Sequence, residues 1–153
     1  MGLIAGAIGI LVIVIGVASF FLDRAGHQQP FKIDPYPSAE EWGSRVRSST
    51  SSSDLFRVPG VSAEDVVSYY QQKMYDFYGM DADPAFRDCK RTPTANNYPA
   101  YDRGEPGAAP YQFSCLFDDS GFFITRYTLI VIQPGVEENE GATIIEHQYT
   151  WQQ

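Results

Sequence analysis

SAEDVVSYYQQKMYDFYG, residues 62–79, decides the fold class of the soluble part of this chain. Ser62 is a good helix N-cap, and Asp65 stands three residues later where a capping-box acid belongs. Val66, Val67, Tyr70, Met74, Phe77 and Tyr78 then recur at spacings of three and four, with Gln71, Gln72 and Lys73 pointing away, and Gly79 closes the run. This is the pattern of an amphipathic helix with one apolar face, and a Met and aromatic stripe of this kind belongs to a core. Such a face needs a second layer to cover it.

The second layer lies downstream. Tyr111, Phe113, Cys115 and Phe117 alternate with Gln112, Ser114 and Leu116, then Asp118-Asp119-Ser120-Gly121 supplies turn chemistry, and a strand continues to Ile132 with Tyr127, Leu129 and Val131 on one face. An acidic turn over residues 133–141, holding Glu137, Glu138 and Glu140, leads into a last strand over 143–151 with Ile145, His147, Tyr149 and Trp151 on its apolar side. Helix on antiparallel sheet is the natural packing of these stripes, an α+β fold. Upstream, the Ser/Thr run at 48–53 reads as a flexible turn between short strands at 42–47 and 55–58, and residues 86–91 read as another short strand. Residues 92–110, rich in Pro, Gly, Asn and Ala, read as a long loop offering a contact surface that includes Tyr98 and Tyr101.

At the other end, residues 3–22, LIAGAIGILVIVIGVASFFL, carry no charge. At 1.5 Å per residue about 20 residues cross a hydrocarbon core of roughly 30 Å, so this segment reads as an uncleaved transmembrane anchor. The organisation expected is a transmembrane anchor at 1–23, a Pro-rich linker at 24–37 that places Phe31 and Tyr36 at headgroup level, and a soluble α+β domain at 38–153. Gly2, Gly6, Gly9 and Gly16 fall on one face of the span, with Ala5 close by, where small residues let a neighbouring helix approach. Arg24, Lys32, Arg45 and Arg47 all follow the span, which by charge alone points the domain inward. These cations are interleaved with Asp23, Asp34, Glu40 and Glu41, and Cys89 and Cys115 have the spacing of a structural disulfide, so the outer face is favoured.

Composition excludes several functions. A net charge of −8 over 153 residues, with no basic stripe, excludes a nucleic-acid partner and is expected to hold the domain off an anionic membrane surface. His27 and His147 lack a second ligand at metal spacing, and Asp81-Ala82-Asp83 lacks the glycine and closing glutamate of a calcium loop, those places being Phe86 and Thr92. No nucleophile, phosphate-loop or dinucleotide motif occurs. The sequence thus points to no catalytic, metal or cofactor site.

YPSAEEW at 36–42, a Ser/Thr-rich pair of strands, VSAEDVVSYYQQKM at 61–74 and two or three C-terminal strands together resemble small membrane-anchored or lipoprotein-like extracytoplasmic domains of bacteria, which often carry a similar Asp-Val-Val-x-Tyr-Tyr helix. The resemblance covers most of the chain after Asp34, with Gly79-Met80 where many such domains have Gly-Trp. It implies fold and location, and brings no catalytic residues. The expected function is a non-catalytic accessory or structural subunit of a larger membrane protein complex, its partners being the lipid bilayer and other membrane subunits met through the helix. Two alternatives are an extracytoplasmic ligand- or carbohydrate-binding module, favoured by 10 Tyr and 2 Trp, and a subunit resembling a type IV pilin, against which stands Ala5 where pilins carry glutamate.

Overall fold

The computed structural model describes residues 2–43, 46–93, 109–121 and 124–152; within the first helix the side chains of residues 2–7, 9, 23 and 27 lie outside the description. The elements in chain order are α1 (Gly2–His27), β1 (Glu40–Glu41), β2 (Val46–Arg47), β3 (Ser51–Pro59), α2 (Ala63–Tyr78), α3 (Pro84–Arg87), β4 (Lys90–Thr92), β5 (Gln112–Asp118), β6 (Arg126–Pro134) and β7 (Ala142–Trp151). The fold is α+β, as the two stripes require. One antiparallel sheet runs β1-β3-β7-β6-β5-β4, and β2 pairs with β3 beyond β1. β7 lies at the centre, matching β3 from Ser51↔Thr150 to Pro59↔Ala142 and β6 from Arg126↔Trp151 to Pro134↔Thr143.

α2 forms where the sequence places it. The Ser62 hydroxyl accepts from the Asp65 N–H at 3.1 Å and donates to the Asp65 carboxylate at 2.7 Å, which occupies orphan groups of the first turn. At the other end Gly79 takes φ 85°, a conformation costly for any residue with a Cβ, and its N–H donates to the Tyr75 carbonyl. Ala63, Val66, Tyr70 and Met74 are buried against the sheet, where they meet Phe56, Val58, Cys115, Phe117, Ile130, Ile132 and Ile145. Each large apolar side chain so buried contributes roughly 1.5–3 kcal/mol, and the cluster is what holds helix to sheet.

Several sequence expectations need correction. Residues 86–91 are not one strand: Asp83 caps α3 by accepting from the Ala85 N–H, Pro84 opens it, and β4 begins only at Lys90. The turn at 48–53 is shorter than expected, because Ser51, Ser52 and Ser53 already belong to β3. Their weak strand preference is overridden by pairing with Thr150, Tyr149 and Gln148. On β6 the set Tyr127, Leu129 and Val131 shares a face, but the core takes the other one, Thr128, Ile130 and Ile132. Gln71 and Lys73 do not point away. The Gln71 amide donates to the Arg87 carbonyl at 2.9 Å and accepts from the Cys89 N–H at 2.8 Å, tying α2 to the segment after α3, and Lys73 pairs with Asp34 at 3.6 Å.

The largest correction concerns the linker. α1 continues to His27, and the chain after it packs along α2 instead of lying at the membrane surface, with Phe31, Ile33, Tyr36 and Ala39 all against the core. The Phe31 ring meets Phe77 at 5.4 Å, Tyr36 meets Tyr69 at 5.2 Å, and the Thr128 hydroxyl donates to the Phe31 carbonyl. Prolines exclude a helix here but leave an extended strap whose alternate residues face inward. Its start is fixed as well, since the Arg126 guanidinium donates to the Gly26 carbonyl at 2.8 Å while pairing with Asp119.

Candidate functional site

Under the strap lies a histidine buried in the core. His147 is fully buried at the centre of β7, edge-on to Phe56 and Tyr70. Its Nε2 lies 2.8 Å from the Tyr70 hydroxyl and its Nδ1 lies 3.2 Å from the Tyr149 hydroxyl. Above it, Tyr36 of the strap packs edge-on against Tyr69, the neighbour of Tyr70 on α2. A neutral imidazole donates through one ring nitrogen and accepts through the other, so one tyrosine hydroxyl donates to it and the other accepts from it. Burial pushes His147 down to about 4, only partly opposed by the nearby Asp54, and burial raises the Tyr70 hydroxyl far above its usual value. Tyr70 and the imidazole are therefore neutral at physiological pH. This buried network, sealed from solvent, joins α2 to the sheet.

Beside this network, where the strap leaves α1, a cleft of about 260 Å³ opens at the end of the sheet. Lys32 and Pro30 of the strap form one side of it. Arg47, Ser48 and Ser52 of the β2–β3 hairpin form the other, with Trp151 and the nearly buried Asp54 at its base. Ser48 organises the hairpin, its Oγ accepting from the Ser51 N–H at 3.0 Å. Lys32 Nζ sits 5.9 Å from the centre of the Tyr149 ring. Sequence reasoning missed this cleft because its residues come from the strap, the hairpin and the last strand, which meet only through the sheet pairing.

Cys89 and Cys115 form a disulfide, with an S–S distance of 2.02 Å. β4 pairs with β5 through Lys90↔Ser114, which sets the two cysteines opposite each other, and the Cys89 sulfur also contacts Met74 Sδ at 3.5 Å. Tyr98 and Tyr101 lie outside the described residues. Gly2, Gly6, Gly9 and Gly16 all fall within α1; a Cβ added at Gly16 meets nothing within 4 Å, so among the described residues no other part of the chain packs on that position. Among the described residues no group of His, Cys, Asp and Glu side chains could hold a metal ion, and no helix is long and apolar enough to cross a membrane. No protein-family model matches the chain, and no curated protein or solved structure matches it significantly.

Proposed function

We propose that this chain is a single-pass, membrane-anchored accessory subunit of a larger membrane protein complex, with a non-catalytic domain standing on the extracytoplasmic side. The observation that carries the reading is α1. Its large apolar side chains at positions 8, 10–15, 17 and 20–22 are all exposed, from 49% at Phe20 to 74% at Leu22. A helix with apolar groups on every side and no cover from its own chain is stable only against lipid or other helices. The uncharged run over 3–22 has the length for a bilayer in the sequence, although the described residues alone, which leave out the side chains of 3–7 and 9, make up no span. The bonded cysteines favour an oxidising compartment for the domain.

In lipid, helices associate through close backbone approach at small residues, so Gly2, Gly6, Gly9 and Gly16 form the recognition face. Alkaline extraction should leave the chain in the membrane pellet, and Gly9→Leu should release it from co-purifying subunits in mild detergent, while Leu11→Ile on the opposite face stays bound. Extraction into the supernatant would refute the anchor. Retention of Gly6→Leu and Gly9→Leu at the wild-type level would refute the helix as the attachment face.

A further inference from the structure

The docked strap gives the domain a defined polarity with respect to α1. Gly26 is held at Arg126, the first residue of β6, and Phe31 at Thr128, so α1 meets the sheet at the end where β6 begins and β7 finishes. The strap then runs past Tyr69 to β1, toward the opposite end. Charge is uneven along this axis, although the α1 end also holds exposed Asp118 and an Asp119 paired with Arg126. The far end carries the turn between β6 and β7 with Glu137, Glu138 and Glu140, whereas the end nearest α1 presents Arg24, Lys32 and Arg47. Among the described residues neither Lys32 nor Arg47 forms an ion pair. The overall charge of −8 therefore does not describe the surface that would face a bilayer.

We propose that the cleft between the strap and the β2–β3 hairpin binds the phosphate of an anionic phospholipid headgroup from the leaflet that α1 enters. Arg47 supplies a planar fork suited to phosphate oxygens, Lys32 a second positive charge from the facing wall, and Ser52 a hydroxyl. Trp151 at the base has the amphipathic ring that favours the headgroup layer. Asp54 also lines the cleft, leaving one net positive charge among its described walls, enough for a phosphodiester and too little for a polyphosphate. A free phosphate shares this chemistry, but the position of the cleft at the α1 end places it next to lipid.

This inference rests on the anchor reading above. The test uses the full chain reconstituted in nanodiscs of phosphatidylcholine with a minority of phosphatidylglycerol, followed by native mass spectrometry of the lipids retained after transfer to detergent. Phosphatidylglycerol should be retained over phosphatidylcholine, and Lys32→Gln and Arg47→Gln should each lower its retention about fivefold, while Glu138→Gln at the far end leaves it unchanged. Equal retention of both lipids, or equal loss in Glu138→Gln, overturns the site. If inorganic phosphate displaces the lipid at matched concentration, the ligand is free phosphate and the lipid assignment falls. A chain that enters discs of neither composition refutes the anchor itself, a result distinct from entry without lipid preference.

Discussion

Acidifying the protein from neutral pH to about 4 puts a proton on His147 in the unfolded chain but not in the folded one, and the resulting loss of stability can be worked from the structure. In the unfolded chain the imidazole titrates near its ordinary value of 6.5; in the fold, burial among Tyr70, Tyr149 and Phe56 lowers it to about 4. Between these values the unfolded state binds the extra proton, so stability falls as pH drops, and below about 4 both states are protonated and this contribution levels off. At about 1.4 kcal/mol per pH unit the full loss is about 3 kcal/mol, a large part of the 5–15 kcal/mol that holds a typical domain. Above about 6.5 no change is expected from this residue. The assay is urea unfolding of the full chain in mild detergent, followed by tryptophan fluorescence at several pH values, with wild type and His147→Gln compared. Gln retains a donor and an acceptor for the two tyrosine hydroxyls but cannot titrate, so the variant should be less stable at neutral pH yet lose less on acidification. An identical pH slope in both proteins would refute the buried neutral imidazole, since His27 and every carboxylate are common to the two.

Three further outcomes follow from packing. Replacing Cys89 and Cys115 together by serine should cost about 3 kcal/mol in the same unfolding assay, because the bond closes a loop of sequence separation 26. Thiol labelling of the native protein should find no free cysteine, and two reactive thiols would also remove the argument for an oxidising compartment. Gly135→Ala should destabilise by about 2 kcal/mol, since its Cβ would lie 2.9 Å from the Ala142 carbonyl oxygen and also against the Asn139 backbone; a neutral effect would mean that the turn yields freely. Tyr36→Ala should cost about 2 kcal/mol by removing the contact with Tyr69 and the ring's burial, whereas a strap that merely connected anchor to domain would lose nothing.

The parts of the fold that could be read from the sequence are those whose signal is local. α2 announces itself by its apolar spacing, by Ser62 and Asp65 at its start and by Gly79 at its end, and β5 to β7 by alternation and turn residues. α3 carried a local signal too, since Asp83 directly before Pro84 is a helix-start signature. The inward turn of Gln71 had no such signal, because an unpaired N–H at Cys89 created the need for it. Phe31, Ile33 and Tyr36 show apolar residues between Lys32 and Asp34, a strand-like alternation legible in principle. Their prolines and their position after an apolar span gave the competing picture of a free linker. Strand order was not legible at all. That β3 pairs with β7 across some ninety residues of intervening chain depends on how two faces pack, and no window of sequence contains both.

The central position of β7 orders the assembly of the molecule in time. β3 has no neighbour among the later strands except β7, and β6 reaches β3 only through it. During synthesis β7 follows every strand that it joins, so β3 waits for its central neighbour until the last strand is made, while α2 can already pack on the hairpin of β5 and β6. α1 and the strap have by then left the ribosome. The strap can by then be held to β6 through Arg126 and Thr128, so β3 and β7 are added to a piece in which strap, α2 and the hairpin already touch. A lesion in β7 would accordingly do more than weaken one edge: it would cut the sheet between β3 and β6 and leave the first strands without a partner on that side.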